Sequence, residues 1–313
     1  MQTKIIVIVM KSFHFHAMAF AIIAMSTFAV QAQSDGIRVT GTSAVKKNPA
    51  SDNPPKEYTA LGNSLYECVY QYDIMATTKS GETVPETYST ILQIGSNSAK
   101  FTDMATYCID SLAMKPDADG NEIAELTNKR NKKEFLFTGE VYQNIPEGKI
   151  TYTDIVIPNI VEYEEDFAPF EWTLTEDTLT VCGYPCMKAT TTYGGRNWEA
   201  WYTEEIASSN GPWKFAGLPG LIMKVSDDKG IHKFTAVSFR ESAMPMGKLR
   251  NINIQKTSRD KFLQSKNYME EDPMRRISTE SISNITVTAN KSILINGVPL
   301  IQRPNGYTPI ELK

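Results

Sequence analysis

The chain has 313 residues, of which 41% are hydrophobic and 22% charged, and it carries a formal charge of −4. This composition excludes a disordered, collagen-like or disulfide-dense small protein. Only three histidines occur, and two of them, His14 and His16, lie in an N-terminal segment that is predicted to be removed. With His232 as the one remaining histidine, a metal site with two or more histidines is excluded. A histidine-based catalytic triad would have to use His232.

Residues 1–32 have the composition of a secretory signal peptide. The segment contains Lys4 and Lys11, no acidic residue, and an apolar stretch that begins at Phe13 and gives way to small residues before Ala32. This pattern predicts cleavage near Ala32, with a membrane-anchoring helix as the alternative. We therefore expect a periplasmic, outer-envelope or secreted protein with no transmembrane segment in the mature chain.

Removal of the signal leaves 30 Lys and Arg residues against 36 Asp and Glu, a formal charge of −6. A mildly acidic chain is not expected to bind nucleic acid or anionic membranes through charge. Residues 33–60 are predicted to be a flexible tether, because they are rich in Lys, Asn and Pro between Gly41 and Tyr58 and nearly free of apolar residues there. The domain proper is then predicted to span residues 61–313.

The domain is predicted to be mainly β. Runs rich in Thr, Val, Ile, Tyr and Phe recur between Gly and Pro residues, without a helix after each run, and this favours antiparallel pairing. We expect a single curved antiparallel sheet, or an open half-barrel, with one or two covering helices. The predicted strands are Leu65–Ile74, Thr87–Ile94, Glu134–Tyr142, Lys149–Ile157, Phe170–Leu174, Leu179–Val181, Met187–Tyr193, Asn197–Thr203, Leu221–Ser226, His232–Phe239 and Ile285–Thr288.

Two covering elements are predicted from helical periodicity. Asp119–Lys133 has two apolar residues on one side, so it is a surface helix or a charged loop. Ser258–Glu271 begins at a capping serine, ends before a proline and directs Phe262 and Leu263 inward, so it is predicted to be a helix.

The four cysteines are predicted to form disulfides, because export leads to an oxidising compartment and the count is even. Cys182–Cys186 together with Cys68–Cys108 is one pairing, and a bond from Cys186 to one of the two earlier cysteines is the other. A thiolate metal site at Cys182 and Cys186 is the alternative. No metal or cofactor is otherwise predicted.

Ionisable residues offer few arrangements with catalytic chemistry. The acidic run Glu162–Asp166 offers paired carboxylates of the kind used in glycoside hydrolysis, but it is predicted to be a solvated loop, because adjacent like charges repel. Asp117–Glu122 has the wrong register for a calcium loop and is predicted to be a turn. His232 has no recognisable nucleophile nearby in the sequence and is expected to be a surface or core residue.

The densest aromatic signal lies between Arg196 and Val225, where three of the four tryptophans occur. Alternation predicts Trp198 and Tyr202 on one strand face and Trp201 on the other. Such a set is either core or the lining of a cavity for an apolar or aromatic ligand. The candidate ligand-binding residues are Arg196, Trp198, Trp201, Tyr202, Trp213 and Phe215.

Short motifs surround this aromatic region. Gly195–Tyr202 and Gly211–Phe215 lead into the hexapeptide Gly217-Leu218-Pro219-Gly220-Leu221-Ile222, whose Pro219-Gly220 predicts a type II turn with positive φ at Gly220. With these motifs, and with the ending Tyr307–Leu312, the chain resembles the GLPGLI family of secreted Bacteroidota proteins. Cys182 and the long tether depart from the family pattern. The resemblance implies an outer-envelope or periplasmic protein with a mostly antiparallel β fold, and it carries over no catalytic residue.

We therefore expect a non-enzymatic envelope protein that binds an apolar ligand, a lipid or an envelope partner protein through the aromatic region. One alternative is a secreted hydrolase that uses Glu199, Glu204 or Glu205, which requires two acids to converge in one cleft. The other is the thiolate metal site at Cys182 and Cys186.

Overall fold

The computed structural model describes residues 58–77, 80–131, 137–167, 170–249, 254–272, 282, 284–287, 293–300 and 307–313. The predicted signal peptide, its cleavage site and residues 33–57 of the predicted tether lie outside the described residues. None of the helices in the described part of the chain has the length and hydropathy that a membrane span requires.

Strands dominate the described chain. Its first half contains β1 (Tyr58–Asn63), β2 (Tyr66–Thr77), β3 (Thr83–Ile94), β4 (Ala99–Asp103), α1 (Met104–Ala113), α2 (Gly120–Asn131), β5 (Glu140–Gln143), β6 (Lys149–Val156) and β7 (Asn159–Asp166). The second half contains β8 (Thr173–Val181), β9 (Tyr184–Tyr193), β10 (Arg196–Thr203), β11 (Leu221–Asp227), β12 (His232–Glu241), β13 (Pro245–Leu249), β14 (Ile254–Lys256), α3 (Arg259–Glu271), β15 (Ile285–Val287), β16 (Ile293–Ile295) and β17 (Val298–Pro299).

Twelve of these strands form one open sheet in the order β14-β7-β6-β5-β4-β3-β2-β12-β11-β10-β9-β8. The neighbouring strands run antiparallel, except that β14 lies parallel to β7. Most neighbours in the sheet are also neighbours in the chain, as expected where short turns connect strands. The predicted fold class, a mainly β protein with an open antiparallel sheet, is confirmed. β1 pairs with β13, and β15 to β17 form a separate three-stranded sheet.

Aromatic side chains fill the core along one face of this sheet. Tyr72 on β2 and Phe234 on β12 are buried and stack with their ring centroids 4.2 Å apart. Phe101 on β4 meets Phe234 edge to face at 5.8 Å. Burial of each such ring stabilises the fold by about 2–3 kcal/mol, and edge-to-face pairs add to this.

Both predicted covering elements are helices. α3 begins after Ser258, whose side chain caps the first turn, and buries Phe262 against Tyr152 and Tyr163 at 5.4 and 5.0 Å. The charged segment after Asp119 is helix α2 and not a loop. Helix α1 was not predicted, and it begins where the carboxylate of Asp103 accepts the first free backbone N–H groups.

The acidic run Glu162–Asp166 is the second half of strand β7, so its prediction as a solvated loop was wrong. Alternation sends Glu162 to one face, where Lys248 Nζ lies 2.6 Å from its carboxylate. Glu165 lies on the other face, 2.7 Å from Lys214 Nζ. Cations that are distant in the sequence therefore offset the repulsion between neighbouring carboxylates.

The disulfide prediction was also wrong, since all four cysteines are free thiols. Cys68 on β2 and Cys186 on β9 are buried, whereas Cys108 on α1 and Cys182 in the turn between β8 and β9 are exposed. The fold brings no two of these thiols within bonding distance. The prediction rested on the even number of cysteines, which carries no information about the distances between them. Burial raises the pKa of the Cys68 thiol to about 12, so this group stays protonated.

Candidate functional site

The candidate aromatic residues are packed inside the domain. Trp198, Trp213 and Phe215 are at most 2% exposed. The Phe215 ring lies 4.8 Å from Trp198 and 5.2 Å from Trp213, in tilted or edge-to-face contacts. Tyr202 is buried as well. This burial favours the core alternative over a patch that contacts a ligand directly.

Trp201 lies on the opposite strand face from Trp198, as alternation predicts, and it is 9% exposed. Its indole N–H donates to the Glu199 carboxylate at 2.9 Å, and Lys188 Nζ lies 5.6 Å from its ring centroid. The pair is a local contact between a side chain and its strand neighbour, and it leaves no space for a ligand between the two groups.

The hexapeptide is a structural element, and its turn differs from the prediction. Positive φ occurs at Gly217, at 93°, and not at Gly220. Gly220 is required for space, because a Cβ there would lie 2.0 Å from the carbonyl oxygen of Thr203. Leu218, Leu221 and Ile222 are buried core residues.

Arg196 binds the chain's own residues 307–313. Its guanidinium donates to the carbonyl oxygens of Pro309 at 2.7 Å and Ile310 at 3.0 Å, and it forms a buried ion pair with Asp227 at 3.1 Å. His232 Nε2 lies 3.1 Å from the same Pro309 oxygen. Sequence reasoning picked out Arg196 but missed what it binds.

His232 is a neutral core residue. A carbonyl oxygen only accepts hydrogen bonds, so Nε2 carries the proton and Nδ1 accepts from the Tyr72 hydroxyl at 2.8 Å. Burial, with a smaller contribution from the nearby Arg196 charge, lowers the pKa of His232 to about 3. The imidazole therefore orders the neighbouring segment without carrying charge.

The fully buried Lys214 also contacts residues 307–313, through Glu311. Its Nζ lies 2.6 Å from the Glu311 carboxylate and 2.7 Å from that of Glu165, and it donates to the Tyr163 hydroxyl at 2.6 Å. Burial alone lowers the pKa of the ammonium group, but the Glu311 and Glu165 carboxylates outweigh it and raise the pKa to about 12. Rings of Tyr152, Tyr163, Tyr193 and Trp213 surround the cation at 4.9–5.8 Å.

A cavity of about 300 Å³ opens at one end of the sheet and contains none of the six candidate aromatic-region residues. We call it the serine–asparagine pocket. The turn between β3 and β4 and the loop after β10 supply most of its wall. It is lined by Leu65, Tyr66, Ile94, Gly95, Ser96, Asn97, Ser98, Asn144, Phe167, Ala207, Ser208, Ser209 and Asn210.

The pocket lining has no ionisable carboxylate, imidazole, amine, guanidinium or thiol. Seven of the thirteen residues are Ser or Asn, which both donate and accept hydrogen bonds. The rings of Tyr66 and Phe167 add two apolar surfaces. This lining suits an uncharged ligand with several polar groups and one apolar face.

The motif region holds one wall of this pocket in place. The backbone oxygens of Ser209 and Asn210 accept from the N–H groups of Gly217 and Ile222, at 2.8 and 3.0 Å, so the hexapeptide fixes the loop. The Asn210 side chain donates to the buried Gln143 at 2.7 Å.

Gln143 joins this wall to the aromatic core. Its amide donates to the backbone oxygen of Trp213 at 2.8 Å. The aromatic core therefore supports the pocket without lining it. Sequence reasoning missed the pocket, and the signal available was a pair of Ser/Asn-rich turns, Ser96–Ser98 and Ser208–Asn210.

The serine–asparagine pocket is lined by none of the acids named for a hydrolase, Glu199, Glu204 and Glu205. Glu199 lies in β10 and pairs with Lys188 Nζ at 2.8 Å, whereas Glu204 and Glu205 are exposed in the turn beyond the strand. Although partial burial opposes it, the Lys188 ammonium and the Trp201 indole lower the pKa of Glu199, which argues against a role as a general acid. Within the described residues, no group of three or more His, Cys, Asp or Glu side chains is arranged to hold a metal ion.

Comparison with known proteins gives limited matches. A family model described as a protein of unknown function (Porph_ging) matches residues 194–224, the segment that includes Arg196, Lys214 and the hexapeptide. No curated protein matches the chain.

Two crystal forms of PNGF-II are similar in structure. The C2 form has a TM-score of 0.41 and 19% identity over 64% of this chain and 32% of that one. The P21 form has a TM-score of 0.44 and 18% identity over 74% and 40%. The chain thus spans less than half the length of these proteins, and similarity at this level carries no information about activity.

Proposed function

We propose that the protein is a non-enzymatic cell-envelope protein of the GLPGLI family that binds an uncharged, carbohydrate-like ligand in the serine–asparagine pocket. One observation carries the proposal: the pocket is lined by Ser and Asn side chains and the rings of Tyr66 and Phe167, with no carboxylate, imidazole, amine, guanidinium or thiol. The envelope location rests on the predicted signal peptide.

Sugar rings match this lining in two ways. Their hydroxyl groups donate and accept, as do the side chains of Ser96, Asn97 and Ser209. Their C–H faces are apolar and pack on aromatic rings such as those of Tyr66 and Phe167. A long-chain lipid fits less well, because most of the lining is polar, and a charged ligand would enter without a counter-charge.

The same lining argues against catalysis at this site. General acid or base chemistry needs a titratable side chain within hydrogen-bond reach of the reacting group. The thirteen lining residues include no carboxylate, imidazole, amine or thiol, and the Tyr66 hydroxyl has no neighbouring base among them. We therefore expect the protein to bind its ligand without changing it chemically.

Calorimetric titration of the full chain tests this proposal. The probes are neutral trisaccharides of glucose, mannose and N-acetylglucosamine, with trigalacturonate as the anionic counterpart and palmitate as the lipid. Ser209→Phe places a ring in the pocket mouth, and Ser238→Phe is the matched control, because Ser238 is also exposed but lies on β12 outside the lining.

We expect heat of binding from at least one neutral trisaccharide, its loss in Ser209→Phe and its retention in Ser238→Phe. Binding of palmitate or trigalacturonate alone would contradict the proposal. So would binding of a neutral sugar that Ser209→Phe leaves unchanged.

A further inference from the structure

Residues 307–313 lie against the domain like a bound peptide. The segment belongs to none of the described strands, and side chains hold most of it. The groove that receives it, which we call the tail groove, is formed by Gly194, Arg196, Lys214, His232 and Arg259. It is separate from the serine–asparagine pocket, whose lining includes none of these residues.

Backbone groups of the segment are recognised individually. Arg196 and His232 bind the carbonyl oxygens of Pro309 and Ile310, as described above. The N–H of Leu312 donates to the Gly194 carbonyl at 2.7 Å. Pro309 has no backbone N–H, so the groove needs no acceptor for it. These contacts fix the direction and register of the segment.

The Glu311 side chain completes a buried charge balance. Its carboxylate lies 2.6 Å from Lys214 Nζ and accepts from Arg259 Nε at 2.7 Å, and it is 3% exposed. Glu165 is the second acid that contacts both cations. Without Glu311, Lys214 and Arg259 would share the Glu165 carboxylate, which is unfavourable around the fully buried ammonium group of Lys214.

The turn between β9 and β10 is shaped for close approach of the segment. Gly194 and Gly195 both have positive φ, at 59° and 80°, as a type I′ hairpin turn requires. A Cβ on Gly194 would lie 3.0 Å from Glu311 Cγ. Side chains at this turn would therefore press on the segment.

We propose that the tail groove is a peptide-recognition site for the sequence Tyr-Thr-Pro-Ile-Glu-Leu-Lys, which it binds in cis here and can bind in trans from a second copy of the chain. The Glu311 carboxylate provides the specificity, because it is the acid of the segment that pairs with both the buried Lys214 and the partly exposed Arg259. A second copy is the partner because the groove is complementary to this sequence.

A nicked chain tests peptide recognition. A protease site inserted between Gly306 and Tyr307 allows the covalent link to be cut after folding, and a fluorescent copy of the heptapeptide then reports exchange by anisotropy. We expect the labelled peptide to enter the nicked chain but not the uncut chain. The peptide with Glu311→Gln should bind about 100-fold more weakly, since it leaves the buried Lys214 and the partly exposed Arg259 to share the Glu165 carboxylate.

The peptide with Leu312→Ala is the matched control, because the Leu312 side chain is 53% exposed, and it should bind like the natural sequence. Equal binding of the Glu311→Gln peptide would overturn the proposal. So would a nicked chain that never exchanges its segment, or one that unfolds when cut, since the segment would then be an inseparable part of the fold.

Exchange between copies is tested by mixing two full-length variants. Lys214→Met damages the groove and keeps the segment, whereas Glu311→Gln damages the segment and keeps the groove. We expect a complex of one copy of each, detected by light scattering, in which the Lys214→Met segment fills the Glu311→Gln groove. Two separate monomers at all concentrations would overturn binding in trans.

Discussion

The serine–asparagine pocket and the tail groove differ in charge and in burial. The pocket is open and neutral, and it is lined by turn residues such as Ser96 and Ser209. The groove is closed by residues 307–313 and holds the fully buried Lys214 together with Arg196 and Glu311. In the groove the charged side chains pair with one another, whereas Ser96, Asn97 and Ser209 of the pocket are exposed, as the proposed ligand site requires. Substitutions in the groove should therefore lower the stability of the fold, whereas substitutions in the pocket should lower the affinity for the ligand.

Substitution of the buried cation should have the largest effect. Lys214→Met leaves the Glu311 and Glu165 carboxylates without the one fully buried cation that they share, and we expect it to lower the free energy of unfolding by about 3–5 kcal/mol. Lys188→Met removes a partly exposed ion pair with Glu199 and should cost less than about 1 kcal/mol. Urea unfolding measures both. Similar losses in the two variants would contradict the structural role of Lys214.

Acidification should destabilise the protein through His232. Its pKa in the folded chain, about 3, lies below the ordinary value of 6.5, so between these pH values the unfolded chain binds the proton and the folded chain does not. The free energy of unfolding should therefore fall as pH falls from 6.5 towards 3, by as much as about 1.4 kcal/mol per pH unit from this group.

His232→Gln keeps an N–H that can donate to Pro309 but does not titrate. Chemical unfolding at several pH values should give a shallower dependence for this variant, once the carboxylates common to both proteins are subtracted. An identical pH dependence of the two proteins would show that His232 is protonated equally in the folded and unfolded chains.

Substitution of two glycines distinguishes the cost of backbone strain from the cost of contact with residues 307–313. Gly194 and Gly81 both have positive φ, but a Cβ at Gly81 meets nothing within 4 Å. We expect Gly81→Ala to destabilise by about 1 kcal/mol through strain alone, and Gly194→Ala to cost about 1 kcal/mol more because it presses on Glu311. Thermal and urea unfolding compare the two, and equal losses would indicate that the segment moves away without cost.

The smallest effect on stability is expected in the pocket. Asn97→Ala removes an exposed amide, so the free energy of unfolding should change by less than about 0.5 kcal/mol. Affinity for a neutral trisaccharide should nevertheless fall about 3–10-fold, the value of one hydrogen bond. Unfolding and calorimetry on the same sample measure both quantities. If Asn97→Ala changed the stability and left the affinity unchanged, the proposed role of the pocket in binding would be contradicted.

Local patterns predicted much of the sheet and helix α3, and they left the α2 segment open between a helix and a charged loop. β6, β9, β10 and β11 were predicted close to their observed ends, because each combines strand-forming residues with a nearby turn. The capping Ser258 and the spacing of Phe262 predicted α3. Such elements depend on residues that are close together in the chain.

The incorrect predictions share one physical cause: the structure of these segments depends on residues that are distant in the sequence. The sequence of β7 resembles a charged loop, because only the fold brings Lys214 and Lys248 beside its carboxylates. β4 is only five residues long, and the helix after it depends on the Asp103 cap. The free cysteines likewise follow from tertiary distances that no count contains.

Ligand binding by the six candidate residues of the aromatic region stays a prediction. The aromatic side chains among them are buried in the core, Arg196 contacts the chain's own Pro309 and Ile310, and none of the six lines the pocket. The pocket could not be predicted, because serine and asparagine are ordinary turn residues and only the fold brings Ser96–Ser98 near Ser208–Asn210.

Hydrogen exchange of the full chain with a neutral trisaccharide tests the central claim, that the neutral pocket binds the ligand while the tail groove keeps its own segment. We predict slower exchange in residues 95–98 and 206–210 when the sugar is added, with no change in residues 307–313. Protection or release of residues 307–313, with residues 95–98 and 206–210 unaffected, would contradict it.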